Sequence, residues 1–289
     1  MNYRHHYHAG NFADVFKHVV LGRLISSLQR KEKGFLYLDT HAGRGRYDLA
    51  RAQHGETLAR TPEWPAGIGR LVGRSDTPVE VGHYLAAVRN FDRRCGNLTD
   101  ELRFYPGSPW LAKGWLRPQD RMALCELQPA EFAALSSEMG GIPRVSVHPL
   151  NGYVAVRSML PCGEKRALVL IDPPFEDANE WMAIVEAWED IRARMPACTV
   201  AVWYPLTTRA RIDAFLSELR SRQLPPTWVA EIAVAGTDSP LKMRGCGLVV
   251  INPPWRLDEE VRRLATWLAS ALAVAPGAEG GLEWLVSET

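Results

Sequence analysis

The chain has 289 residues, 46% of them hydrophobic and 23% charged, an ordinary globular composition at a length that can bury a substantial core without disulfide or metal staples. Its 34 Lys and Arg against 33 Asp and Glu leave a formal net charge of +1. That excludes a globally basic nucleic-acid binder, so a polyanionic partner would have to meet positive charge gathered on one face. The five cysteines (Cys95, Cys125, Cys162, Cys198, Cys246) are scattered and lack CxxC spacing, which argues against a disulfide framework or zinc site and for reduced thiols in a cytoplasmic protein. No apolar run approaches the roughly 20 residues of a membrane span, and MNYRHHYHAG lacks the apolar stretch of a secretory signal.

Asn11 to Lys31 carries Val15, Phe16, Val19, Val20, Leu24 and Ile25 at helical spacing and is stopped by Gly34, which predicts a first helix. Phe35 to Asp39 (FLYLD), bounded by Gly34 and by Gly43 and Gly45, reads as a buried parallel strand. Between Tyr47 and Arg103 the alternation breaks down around one amphipathic helix near Val81 to Arg94. This stretch, 48–103, is expected to be a small helical insertion in a domain formed by 1–47 and 104–289. Strand grammar returns at Arg121 to Leu127, Arg144 to His148, Ala167 to Asp172 and Thr199 to Tyr204. Helices are expected between and after these strands at Pro129 to Ser137, Gly152 to Leu160, Asn179 to Arg194 and Thr208 to Arg222. Such alternation predicts a doubly wound, mostly parallel sheet with right-handed crossovers. Thr227 to Val234 and Gly247 to Asn252 have no long helix between them and are expected to pair antiparallel. A helix over Leu257 to Leu272 and a short strand at Leu282 to Val286 follow. The fold class is therefore α/β: a Rossmann-like sheet of the class I methyltransferase kind, with an antiparallel C-terminal hairpin and a small helical insertion.

The strongest chemical signal is Asp172-Pro173-Pro174-Phe175 directly after the apolar run LVLI. In a doubly wound sheet, ligands sit at the carboxyl ends of the strands. Two prolines remove backbone donors and stiffen the chain, leaving the Asp172 carboxylate and the Pro173 carbonyl as acceptors for an exocyclic NH2. Phe175 offers a face on which an unstacked base can lie. A Pro-Pro turn with Asp172 capping the next helix is the plainer alternative. Asp39-Thr-His-Ala-Gly-Arg-Gly-Arg46 follows the first strand, and Gly43 and Gly45 let its backbone approach a ligand. It reads GxGxxD and lacks the acid about 20 residues on that a nicotinamide site needs, so it suits the methionine end of S-adenosylmethionine. Glu126, at a strand end, can accept from both ribose hydroxyls. Asn151-Gly152 could meet the cofactor adenine, or be an ordinary turn or helix cap. In YRHHYHAGNFADVFKH, a metal site from His5, His6 and His8 lacks partners at ligand spacing, so no metal is expected. Tyr3, Arg4 and the histidines look like groups that clasp a phosphate backbone or stack on a base. Lys17 and His18 lie about one turn after Asp14, on what could equally be a solvated helix face. Arg44 with Arg46, and Lys242 with Arg244, are further local basic clusters for RNA.

Taken together, YRHHYHAGNFADVFKH, FLYLDTHAGRGRY, YPGSP (Tyr105 to Pro109), LVLIDPPF, WYP (Trp203 to Pro205) and VVINPPW (Val249 to Trp255) resemble the RlmJ family of 23S ribosomal RNA adenine-N6 methyltransferases, nearly end to end. The resemblance implies that Asp172, with Pro173 and Phe175, acts on the target amine. It implies that His18, His41, Ser108, Glu126, Asn151 and Gly152 contact S-adenosylmethionine and that Tyr3 contacts RNA; beside these, Gly43 is expected to contact the cofactor, and Arg4, Lys17 and Phe175 the RNA. It further implies 23S ribosomal RNA as substrate, with no metal and no membrane partner, and a monomer is expected. Two departures stand out: the family has Asp where this chain has Asn151, which keeps an acceptor oxygen, and Tyr where it has Phe175, which keeps the stacking face. A guanine-N2 or protein-glutamine methyltransferase, sharing an sp2-linked NH2, and a noncatalytic RNA-binding protein on the same fold are the competing readings.

Overall fold

A computed structural model describes residues 7–50 and 61–288. The first helix, α1 (Phe12–Leu28), starts where the Asn11 side chain accepts from the Asp14 backbone N–H, one of the donors a helix start leaves without an internal partner. It is buried on nearly all sides, Lys17 and His18 included, so no face of it is the solvated one that its charges could have suggested. It ends three residues before the expected Lys31 because Gln29 turns away, its side chain donating to the Trp115 carbonyl and to Asp120.

The alternation then builds strands β1 (Leu36–Asp39), β4 (Arg121–Cys125), β5 (Val145–His148), β6 (Ala167–Ile171) and β7 (Thr199–Pro205), all parallel where they pair. Helices α4 (Pro129–Met139), α5 (Gly152–Met159), α6 (Glu180–Arg194) and α7 (Arg209–Ser221) separate or follow them. Asp39 lies opposite Leu170 on one side and Leu124 on the other, so the ends of β1, β4 and β6 finish at one level. Phe35, just before β1, and Tyr37 within it face one core layer with α1, while Leu36 and Leu38 face the other with α5 to α7, the two-sided burial that explains an unbroken apolar strand.

The C-terminal strands β8 (Thr227–Ala233), β9 (Gly245–Ile251) and β10 (Glu279–Val286) complete an eight-stranded sheet in the order β10-β8-β9-β7-β6-β1-β4-β5. As expected, β8 and β9 pair antiparallel; β9 also wedges antiparallel between β8 and β7. The last helix, α8 (Asp258–Ala271), covers this end through Val261, Leu264, Ala265 and Leu268. At the end of β9, Asn252-Pro253-Pro254-Trp255 copies the DPPF pattern but lies at the opposite sheet edge, because β9 runs against β7. Its Asn252 amide donates to the carbonyls of Pro196 and Cys198, a structural closure.

Two short strands were not legible in the sequence. β2 (Arg46–Asp48) and β3 (Phe104–Pro106) form an antiparallel ribbon, from which the chain departs and to which it returns around residues 49–103. Within that stretch lies α2 (Val79–Arg94), whose Val81, Tyr84 and Val88 join the core layer of α1. Helix α3 (Ser108–Trp115) follows β3 and was likewise unforeseen.

Candidate active site

A cleft of about 800 Å³ runs across the carboxyl ends of β1, β4, β6 and β7, a volume suited to a cofactor-sized ligand. His18, His41, Gly43, Ser108, Glu126, Asn151, Gly152, Asp172, Pro173, Phe175 and Lys17 all line it. Tyr3 and Arg4 lie outside the described residues, so the cleft is described without them.

One half of the cleft is built on β1, β4 and the turn after β5. Gly43 holds φ at +59°, and a Cβ there would come within 2.6 Å of the Tyr47 hydroxyl. Its N–H donates to Glu126 Oε2 at 2.8 Å, while the Gln128 N–H donates to Oε1 at 2.8 Å, so two backbone donors fix the carboxylate at the strand end. Burial pushes the Glu126 carboxyl above its ordinary range. Asn151 caps α5 through a 2.9 Å bond from the Tyr153 N–H to its Oδ1. Gly152 passes so close to Thr40 that a Cβ would strike the Thr40 carbonyl. These positions present backbone and fixed acceptors, with side chains trimmed away. A ribose-bearing, planar-ringed cofactor fits them.

Beneath this half lies a buried group that the motif reading did not isolate. Asp39 Oδ2 accepts from Tyr37 Oη at 2.8 Å and Ser108 Oγ at 2.7 Å, and Oδ1 accepts from the His41 N–H at 3.3 Å. Burial pushes the Asp39 carboxyl up to about 6 despite those donors, and burial pulls the His41 imidazole down to about 4. The two shifts have opposite consequences for stability. Asp39, raised in the folded state, contributes stability at low pH that is lost as pH rises from about 4 through 6; His41, depressed, contributes stability above its unfolded value near 6.5 that is lost as pH falls through 4. At shifts of about two units each is worth about 3 kcal/mol, so they nearly cancel between pH 4 and 6.5. His41→Gln should uncover Asp39. Relative to the unmodified protein, its unfolding free energy should gain about 1–2 kcal/mol on going from pH 7 to pH 5, and urea titrations at the two values would refute this if the two proteins changed in parallel.

The other half is built on α1, β6 and β7. Asp172 follows β6, and its Oδ2 accepts from Lys17 Nζ at 2.5 Å; the same ammonium donates to Asp14 Oδ1 at 2.9 Å. Burial alone would lower the pKa of Lys17, but the charges and hydrogen bonds of Asp14 and Asp172 outweigh it and hold the ammonium well above its ordinary range. Asp14 Oδ2 accepts from the Gly10 N–H, so this carboxylate is fixed from both sides. Among the described residues nothing bonds to Asp172 Oδ1. Phe175 adopts φ +51°, a left-handed conformation that costs an L-residue about 1–2 kcal/mol. Its ring is held by Trp181 at 4.6 Å and, edge-on, by Trp203 at 5.8 Å. Backbone strain at this residue fixes where an aromatic face stands at the cleft. His18 Nδ1 meets the Tyr105 hydroxyl at 2.8 Å, which meets that of Tyr84 at 2.9 Å. Tyr153 Oη donates to Glu180 Oε2 at 2.5 Å between the two halves. Tyr153 and Glu180 line the cleft but carried no motif, their places being set by packing across the sheet, and Trp203, of the WYP run, lines it although no role was read into it.

Comparison with known proteins shows the family of the chain. Residues 32–286 match the family described as "Ribosomal RNA large subunit methyltransferase D, RlmJ". The chain is 38% identical to "Ribosomal RNA large subunit methyltransferase J" of Escherichia coli (strain K12) and 36% identical to the protein of that name from Haemophilus influenzae, each over 288 residues and all of both chains. A crystal structure of protein LPL1258 from Legionella pneumophila superposes with a TM-score of 0.83 at 33% identity, covering 96% of this chain and 97% of that one. The chain belongs to the RlmJ family of ribosomal RNA large subunit methyltransferases.

Proposed function

We propose that this protein transfers a methyl group from S-adenosylmethionine to the exocyclic N6 of an adenine in 23S ribosomal RNA. The observation that carries the reading is the single cleft in which Asp172, Pro173 and Phe175 stand beside Gly43, Glu126 and Gly152. Its relatives' names support large-subunit ribosomal RNA as the substrate, and the family resemblance of the motifs supports adenine N6.

When bound, S-adenosylmethionine supplies an activated methyl group. Glu126 would hold the ribose hydroxyls, Asn151 and Gly152 would border the adenine, and Gly43, His41, His18 and Ser108 would line the amino-acid end. The target amine is a poor nucleophile while its lone pair is delocalised into the ring. Accepting its two hydrogens at Asp172 Oδ1 and the Pro173 carbonyl would favour a pyramidal nitrogen, and the Phe175 ring would fix the base plane. Lys17 holds the other carboxylate oxygen and so sets the direction of Oδ1. Asp172 Oδ1 is then placed to accept the proton that the nitrogen releases as its bond to carbon forms. The protein's contribution is proximity, orientation and electrostatic placement.

Calorimetry should show saturable binding of S-adenosylmethionine and none of the nicotinamide dinucleotides at micromolar levels; the reverse pattern would abolish the reading. Nucleoside digests of 23S RNA incubated with protein and cofactor should contain N6-methyladenosine. N2-methylguanosine instead, or methylated glutamine in a protein substrate, would move the assignment to those classes of amine.

A further inference from the structure

The cleft carries an electrostatic imbalance. Six carboxylates line it: Asp14, Glu63, Glu126, Glu131, Asp172 and Glu180. Among its described lining residues the Lys and Arg side chains are Lys17 and Lys242. Lys17 is buried and committed to two carboxylates. Lys242 is exposed, and among the described residues no carboxylate pairs with it. Glu131 is paired with Arg44 and Glu63 with His8, so among the described residues the lining ammonium not committed to a carboxylate, and placed to meet the phosphodiesters that a target base brings to the rim, is Lys242.

The position of Lys242 follows from the sheet order. Cofactor-side residues come from β1, β4 and the turn after β5, and Asp172 follows β6. On the far side come Trp203 and Pro205 of β7, Thr207 just beyond it, and then Leu241, Lys242 and Met243, which lead into β9 beside the end of β7. The lead-in is tied down by the Val234 N–H donating to the Arg244 carbonyl at 2.7 Å. Lys242 therefore stands beyond the Phe175–Trp203 aromatic wall, across Asp172 from the cofactor half. A nucleotide whose base reaches Asp172 with its amine toward that half must lead its sugar and phosphates out on the side of Lys242.

We propose that Lys242 anchors a backbone phosphate of the RNA strand that presents the target base. This rests on the reading of the cleft as an RNA methyltransferase site. A lysine provides a point charge on a flexible stem, which fits a contact that positions a strand without reading its sequence. Leu241 and Met243 on either side supply apolar surface against which the sugar can lie.

The test compares Lys242→Gln and Lys242→Arg with the unmodified protein, using protein-free 23S ribosomal RNA for kinetics and a fluorescent single-stranded, adenine-containing RNA oligonucleotide for binding. Lys242→Gln should raise the KM for RNA about three- to tenfold, the loss of one charge-assisted contact. Its kcat should stay within about twofold and S-adenosylmethionine affinity should be unchanged. The slope of log affinity against log salt should become shallower by about 0.7, one contact's worth on a single strand. Lys242→Arg should restore both KM and slope. If the unmodified protein methylates RNA and Lys242→Gln leaves KM and slope unaltered, or weakens cofactor and RNA binding alike, the assignment of Lys242 is overturned while the methyltransferase reading stands. If the unmodified protein yields no methylated nucleoside, the reading on which it rests has failed.

Discussion

Asp172→Ala is expected to lower methyl transfer by about 10²–10³-fold, the usual consequence of removing one preorganised polar group from the reacting centre, while S-adenosylmethionine affinity stays within about threefold. The asymmetry follows from the cleft: Asp172 directly follows β6 and meets α1 through Lys17, and the fixed acceptors of the cofactor half, Glu126 and Asn151, belong to other elements. The substitution also removes one of the two carboxylates on Lys17, but Asp14 still holds that ammonium at 2.9 Å. The fold should therefore survive, which a thermal melt checks directly. Single-turnover methylation with saturating RNA gives the decisive number. Near-normal turnover would withdraw Asp172 from the mechanism.

The second large effect is on stability. Lys17→Met should destabilise the protein by about 3–5 kcal/mol, because it leaves two facing carboxylates, one fully within the core, without their cation. Charge repulsion would then raise both carboxyl groups in the folded state, so the deficit should shrink as pH falls toward 5 and be largest near pH 8. Adding Asp14→Asn should recover much of the stability by removing one of the two charges. It should not recover activity, because nothing then directs Asp172. Denaturant unfolding of the unmodified protein and of the two variants at pH 5 and pH 8 separates these outcomes; a loss independent of pH would mean that Lys17 acts through packing alone.

What the sequence made legible was local. The run LVLID followed by two prolines placed an acidic residue at a strand end, and Gly43 with Gly45 after FLYLD placed a second loop at the same level. Parallel pairing of β1 with β6 then brought the two together. Lys17 was expected as an RNA contact or as part of a solvated face, whereas it is buried between Asp14 and Asp172, the latter 155 residues away. No periodicity announces a contact between a helix and a remote strand end. The same holds for Ser108 on Asp39, 69 residues apart. The β2–β3 ribbon escaped because three-residue strands are too short to show an alternation. The WYP and NPPW runs both carried the family resemblance, yet of the two only the first reaches the cleft, since strand direction decides which sheet edge a motif occupies. The N-terminal cluster around Tyr3 and Arg4 lies outside the described residues, and its clasp on RNA stands as an expectation.

The wedged position of β9 has a consequence for synthesis. Until residue 251 has left the ribosome, β7 presents an unpaired edge, and the strand that will cover it, GCGLVVI, is buried along its whole length in the finished sheet. A nascent chain that has made β1, β4, β5 and β6 can close the cofactor half, yet the Trp203 side still lacks its neighbour. Chains arrested before β9 should therefore be the aggregation-prone species, joining edge to edge through β7. Sites on RNA would meet a competent enzyme only after nearly the whole polypeptide has been released.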